Sequence, residues 1–535
     1  MQNKITNIVI IGGGTAGWIT AGILAAEHNA DNGHLAPKPK LNITLIESPD
    51  VATIGVGEGT WPSMRSTLQK IGISETEFMI KCDASFKQGS CFNQWQTSAL
   101  DSNSGLHQYI HPFSLPAGEP QFNIAPYWLP HQQQVSFADA VGQQNAICGQ
   151  HLAPKQIGTP EFSFINNYGY HLNAAKFSQL LQSHCIEKLA INHIQDHVTK
   201  VNQVADVNYH LNSNDICSVS TTNHGDIQGD LFIDCTGTSA LLIGQTLNVP
   251  FICKKQQLFN DSAIALQLPY DNAQQDIASC THSTAQTHGW IWDIGLPTRS
   301  GIGHVYSSSH TSEQQASDQL LAYAKNKQPN INLNNLSVKK LSIAPGHRQV
   351  CWQNNCVAIG MASGFIEPLE ASALALIEWT AKTVAQQLPD NRQVMDTIAN
   401  RVNQQFTLHW QQIVEFLKLH YVVSNRADSD YWHDHRETNT IPDNLQYLLE
   451  LWRYQVPSQQ DILYKEALFP AASYQFVLYG MGFNTQQYSH LKPSNIKQAQ
   501  QLFTENLQRT QAMLKVLPSN RALLNQIAKQ GFSTI

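Results

Sequence analysis

The stretch Gly12-Gly13-Gly14-Thr15-Ala16-Gly17 has the Gly-x-Gly-x-x-Gly spacing of a turn that holds a pyrophosphate. Gly12 permits the tight turn, Gly14 lets main chain approach the phosphates, and Gly17 lets the next helix pack close. A helix N-terminus at that point adds N–H donors and the positive end of its dipole. A second pattern is Trp290-Ile291-Trp292, inside GWIWDIGLP. Side chains alternate along a strand, so both indoles fall on one face as a rigid apolar wall. On spacing alone such a pair is more often ordinary core.

These residues need elements to place them. Ile5 to Ile11 is a β-branched run suited to a buried parallel strand, Trp18 to Glu27 reads as a helix, and Leu41 to Ile46 reads as a second strand. That strand ends in Glu47, which can accept from a ribose hydroxyl; Asn29 to Lys40 lengthens the usual spacing to the acid. FAD and NAD share this fingerprint. Two later strand-to-glycine junctions, Asp230 to Gly237 and Cys356 to Gly360, resemble those of FAD-containing hydroxylase-like folds. One departure is Met361, where those hydroxylases carry Asp for the ribityl chain.

Composition narrows the partners. A net charge of −7 with no Lys/Arg run leaves no electrostatic footprint for nucleic acid. No apolar run approaches the roughly 20 residues that span a bilayer, so no membrane partner is expected. The N-terminus moves straight into a strand without a cleavable signal pattern, and the expected location is cytoplasmic. Ten cysteines without a Cys-x-x-Cys pair read as reduced, packed thiols, with no metal site.

Beyond these patterns the chain resembles the flavin-dependent halogenases of the tryptophan halogenase family, from the first strand to beyond Trp432. Gly55 to Pro62 (GVGEGTWP) resembles the family's strap over the flavin, and Trp290 to Ile294 its W-x-W-x-I-P signature, with Gly295 where proline is usual. Gly301 to Ser308 and His420 to Trp432 look like further family segments. The resemblance implies FAD contacts at Gly12, Gly14, Thr15, Ala16, Gly17, Glu47, Ser48, Glu58, Gly59, Val198, Gly237, Gly360, Met361 and Leu374. It implies that reduced FAD, O2 and halide give hypohalous acid, which travels to Lys87 of Ala84-Ser85-Phe86-Lys87. There the amine forms an N-haloamine or hydrogen-bonds the hypohalous acid; sequence leaves both open. Glu370, in the E-P-L-E-S-T-like stretch Glu367 to Ser372, is the implied carboxylate partner, while Glu367 reads equally as a helix-start acid. Ser372 and Ala373 fall on the family's halide contacts, His111 and Phe113 on its substrate pocket, and Trp290 and Trp292 on the wall beside the flavin. The resemblance implies that this wall keeps substrate from direct hydroxylation. In tryptophan-specific members a C-terminal element supplies paired tyrosines and an acid; Leu468 to Phe483 has one Tyr near the expected place and no adjacent acid.

The implied architecture is α/β: an FAD-binding, hydroxylase-like fold with a βαβ nucleotide site, inserted strands and a mainly helical C-terminal substrate subdomain. Its expected parts are an FAD module over 1–100 and 161–400, a substrate cap over 101–160, and a helical subdomain over 401–535. Tyr170 to Leu181 resembles the family's helix that returns the chain to the FAD module. Without a second nicotinamide-binding unit, a separate flavin reductase is the expected source of FADH2; homodimer formation is left open. Two other readings stand beside a halogenase acting on an indole-like aromatic. One is a flavin monooxygenase that hydroxylates directly; the other is a catalytically inactive flavin-binding relative, supported by the departures at Gly295, Ala371 and Ala373.

Overall fold

The computed structural model describes residues 4–30, 40–51, 57–97, 107–204, 211–462, 467–486 and 491–533. A six-stranded sheet runs in the order Trp352–Gln353, Cys356–Ala358, Leu231–Asp234, Asn7–Ile11, Asn42–Glu47 and Asn192–Gln195. All its pairings are parallel except the edge hairpin of Trp352–Gln353 with Cys356–Ala358. Val9 and Ile10 are fully buried on opposite faces, as a continuous apolar strand in a covered parallel sheet must be. The helix Thr15–His28 follows directly, starting earlier than the apolar pattern marks, because Thr15, Ala16 and Gly17 form its first turn. The two later glycine junctions are the C-terminal ends of Leu231–Asp234 and Cys356–Ala358 in this same sheet, as the sequence pattern predicts.

A second sheet of seven strands runs Lys339–Ser342, Ser262–Pro269, Arg299–Tyr306, Gly289–Gly295, Thr281–Gln286, Gly89–Asn93 and Gln108–Pro112. It is antiparallel except where Thr281–Gln286 meets Gly89–Asn93. Trp290 and Trp292 belong to the main core and Ile291 to a separate cluster on the other side, so the two indoles do share one face. Asp293, on the Ile291 side, is held by the Lys327 ammonium and the Tyr323 hydroxyl. Gly303 lies opposite Trp292, and a Cβ there would sit 2.2 Å from the indole, so the glycine makes room for the ring.

A separate three-stranded ribbon runs Gly57–Gly59, Gly169–Asn173 and Ser85–Lys87. Here the expectation for Tyr170 to Leu181 is corrected. Its first four residues are strand, paired on both sides, and the helix is Ala174–Glu187 with the Asn173 side chain capping Lys176 N–H. Pairing to two neighbours overrides the local helical pattern. From Arg392 onward the described residues are mainly helical, led by the 31-residue helix Arg392–Val422. No described helix is long and apolar enough to cross a membrane.

Candidate active site

Five separated segments meet at one buried carboxylate. Glu370 sits just before the helix Ser372–Gln386, on a segment whose next residue, Ala371, is held in the left-handed region at φ 53°. His111 on strand Gln108–Pro112 places Nδ1 3.1 Å from both Glu370 oxygens, and its Nε2 lies 2.9 Å from the hydroxyl of Ser473. His420 on helix Arg392–Val422 places Nε2 3.0 Å from Oε1, while its Nδ1 faces the Phe416 carbonyl at 2.9 Å. Burial opposes the charged carboxyl, but the two imidazoles outweigh it and hold Glu370 at about 2. The Trp61 indole N–H donates to the Glu370 main-chain oxygen at 2.8 Å, fixing the segment from the other side.

Lys87 ends the strand Ser85–Lys87 and is buried, 1% exposed. Burial drives its ammonium down to about 8, against the pull of Glu370. Its Nζ stands 5.4 Å from the Phe113 ring centre, within cation–π range. Gly59 leaves the space the amine occupies, since a Cβ there would come within 3.1 Å of Nζ. The neighbouring Ser85 hydroxyl donates to the Gly295 carbonyl at 2.5 Å, tying the lysine strand to the end of the tryptophan strand.

The two indoles are almost wholly buried, with ring centres 6.5 Å apart. Trp290 Nε1 donates to Glu367 at 2.7 Å, and the same oxygen accepts from Asn260 and from the Tyr421 hydroxyl, each at 2.7 Å. Of the two readings for Glu367, the geometry takes neither the helix-start role nor the reacting one: the residue anchors an indole. Further aromatic surface comes from Phe469, which stacks on Phe416 at 3.9 Å and meets Trp61 edge-on at 5.2 Å.

At the nucleotide end, Gly12 is at φ 115° and an added Cβ would strike the Cys235 carbonyl at 2.2 Å, while a Cβ on Gly17 would strike the Gly12 carbonyl at 2.0 Å. Gly14 and Gly237, by contrast, face open space. Gly14 caps the helix with no side-chain bond, and the first turn, with Thr15 and Ala16, carries no acid. Glu47 accepts from His193 and Gln182, both 3.1 Å from Oε2, and Ser48 pairs with His197 at 3.2 Å. Glu58, half-buried in Gly57–Gly59, is pushed up to about 7 by burial. Val198 and Met361 are half-buried, a Cβ on Gly360 would come within 2.9 Å of the Ala16 Cβ, and Leu374 is buried in helix Ser372–Gln386. Ser372 is buried and Ala373 exposed at that helix's start, where no side chain caps the first turn. Gly55 and Val56 of the strap segment lie outside the described residues.

Residues 7–495 match the profile of the family described as tryptophan halogenase. The chain belongs to the tryptophan halogenase family. This halogenase is 61% identical to a tryptophan halogenase from Shewanella frigidimarina, whose crystal structure it matches with a TM-score of 0.95 over 100% of both chains. It is 29% identical to the tryptophan 6-halogenase of Streptomyces toxytricini, over 96% of each chain. A flavin-dependent halogenase from Xanthomonas campestris is 29% identical with a TM-score of 0.83, again over 100% of both. The protein is thus a flavin-dependent halogenase and an oxidoreductase, as the motifs from GxGxxG to W-x-W imply. His420, Ser473, Trp61 and Phe469 were not among the expected site residues. The first lay within a segment that resembles the family, but nothing in its spacing marks a carboxylate partner.

Proposed function

We propose that this halogenase transfers an electrophilic halogen to an indole-like aromatic through Lys87, in a pocket closed off from the flavin by Trp290 and Trp292. The observation that carries the reading is an amine buried to 1% exposure, near enough to Glu370 to feel its charge, while Glu370 is clamped by two imidazoles. The nucleotide end fits FAD: Gly14 and Gly237 leave space where phosphates approach, and an uncapped helix start faces it. Glu47 and Ser48 would hold the ribose side, with Glu58, Gly59, Val198, Gly360, Met361 and Leu374 along the remainder. When bound and reduced, FAD with O2 and halide supplies hypohalous acid.

Ser372 and Ala373 offer uncapped N–H groups to the halide. Lys87 receives the halogen from hypohalous acid and presents it to the ring. Phe113 packs one side of that ring, His111 borders it, and Phe469 and Trp61 add apolar surface. Glu370 stays ionised and stabilises the positive charge that develops on the ring under electrophilic attack. Leu468 to Phe483 contains no acid to receive an amino acid's ammonium, which favours an indole-like compound over free tryptophan. A separate flavin reductase would supply FADH2.

The test is to provide reduced FAD, O2 and chloride or bromide with indole and related aromatics, and to follow products by mass. Halogenated product is expected, lost in Lys87→Ala while halide oxidation continues. Hydroxylated product alone, or full halogenation by Lys87→Ala, would overturn the proposal.

A further inference from the structure

Away from the carboxylate site, three thiols and an imidazole share a small buried cluster. Cys91 Sγ and Cys280 Sγ are 2.8 Å apart, on the adjoining parallel strands Gly89–Asn93 and Thr281–Gln286 or immediately before the second. Cys148 packs against them with Ile110, and His282 Nε2 lies 3.9 Å from Cys280 Sγ. The segment is joined to the reacting amine: Gln88, next to Lys87, donates its N–H to the Ser279 carbonyl, next to Cys280, at 2.7 Å. Charge on Cys280 is felt at the Lys87 ammonium.

A metal is the first thing such a ligand set brings to mind. Two thiolates on one tetrahedral zinc stand about 3.7 Å apart, given Zn–S bonds of about 2.3 Å. The observed pair is closer than that, and although the Cys148 contact pulls the Cys280 thiol down, the Cys91 contact and then burial outweigh it and hold the thiol well above its ordinary range, as S–H. Contact this short between buried thiols favours covalent closure over chelation.

We propose that Cys91 and Cys280 are a redox pair that intercepts hypohalous acid escaping Lys87 and closes to a disulfide. The proposal rests on the function argued above, because that reaction brings the oxidant within reach. In the first step one thiol takes the halogen: an S–X bond forms, the O–X bond breaks, and the hydroxide leaves with the thiol proton as water. The second thiol then attacks that sulfur. The S–S bond forms, the S–X bond breaks, and halide departs with the second proton. Two sulfurs lose two electrons and the halogen gains them, so the balance needs no other reagent. The disulfide is reopened by an added dithiol. Hypohalous acid is neutral and small, which suits passage through a buried interior that excludes charged oxidants.

The experiment uses the flavin-loaded protein in two arms: one equivalent of hypobromous acid added without turnover, and turnover with reduced FAD, O2 and bromide. Both are followed by alkylation, non-reducing digestion and mass spectrometry. The expected result is a peptide pair linked through Cys91 and Cys280, a loss of two alkylatable thiols from ten, and reversal by dithiothreitol. Cys280→Ala abolishes the link, leaves the first-turnover yield unchanged, and loses activity sooner over repeated turnovers. Oxidation confined to exposed Cys253 with Cys91 and Cys280 still alkylatable after denaturation would overturn the proposal, as would stoichiometric zinc that blocks the link. A link formed by added reagent without halogenated product in turnover would sink the functional reading and leave the pair standing. Product without a link in either arm would do the reverse.

Discussion

At the scale of single residues, the site is an ionisation problem solved by burial and by pairing. A lysine held near 8 keeps about a tenth of its amine neutral at pH 7, enough for a nucleophile that turns over slowly. Halogenation is therefore expected to rise with pH through about 8; a fall over that range, measured as kcat against pH at saturating reduced flavin, would assign the ammonium instead. The same shift bears on stability. Lys87 is depressed below its unfolded value, so below about pH 8 its burial destabilises the fold, and this cost disappears as pH rises toward 10.5. Lys87→Met should raise unfolding free energy by about 1–3 kcal/mol at pH 7, with the gain fading toward pH 10.5. Glu370 runs the other way: depressed to about 2, it contributes stability above its unfolded value that is lost as pH falls toward 2. Replacing one clamp, in His420→Phe, removes a favourable partner, so the carboxyl should protonate about one unit higher and the acid limb of kcat should move up with it. An unmoved acid limb would show that His420 only fills space.

At the scale of elements, aim comes from a strained turn and two hydrogen-bonded anchors. Ala371 is a non-glycine residue in the left-handed region, immediately after Glu370. Such a conformation costs on the order of 1 kcal/mol. Ala371→Gly should then stabilise the fold by about 0.5–1 kcal/mol while lowering kcat, because Glu370 loses the restraint; chemical denaturation and steady-state rates read the two effects separately. The legible and illegible parts of this site divide along the same line. The glycine turn and Glu47 of the expected nucleotide end lie within Asn7 to Glu47, one strand, one helix and one strand, so local spacing makes that part legible. The carboxylate site joins residues 87, 111, 370, 420 and 473, and only the fold brings them together. Family likeness named Lys87, His111 and Glu370. His420 lay hidden because it occupies the buried stripe of a long helix beside Phe416 and Leu417, where periodicity reads core. Tyr170 to Asn173 reads as helix from local pattern, because pairing on both edges of the strand is a non-local fact.

At the scale of the whole molecule, residues 520–532 brace the strand Ser85–Lys87. The helix Asn520–Gln530 packs near Ser85–Lys87, Phe532 donates its N–H to Thr76 at 3.0 Å, and its ring lies 4.0 Å from the Lys155 ammonium. Lys155 in turn pairs at 2.7 Å with Glu75, which also accepts from Tyr168 and Tyr170, and Phe86 beside Lys87 faces Phe532. Removing residues 531–535 strips one wall from this network. A loss of about 2–4 kcal/mol is expected from the missing aromatic burial, with activity falling at temperatures where the parent is still folded. Unchanged melting would show the tail to be decoration.

The sheet that carries both indoles makes the pocket's two jaws unequal. One jaw is pleated backbone, stitched strand to strand from Gln108–Pro112 to Gly289–Gly295, where moving one strand disturbs the ladders on both of its sides. The other is a stack of side chains, Phe416 and Ser473 on helices and Phe469 on the bend just before the second of them, joined by ring contacts and single hydrogen bonds. Diversification of which carbon is attacked should accumulate on the compliant jaw, where a changed volume re-seats the guest while the distance from amine to barrier stays put.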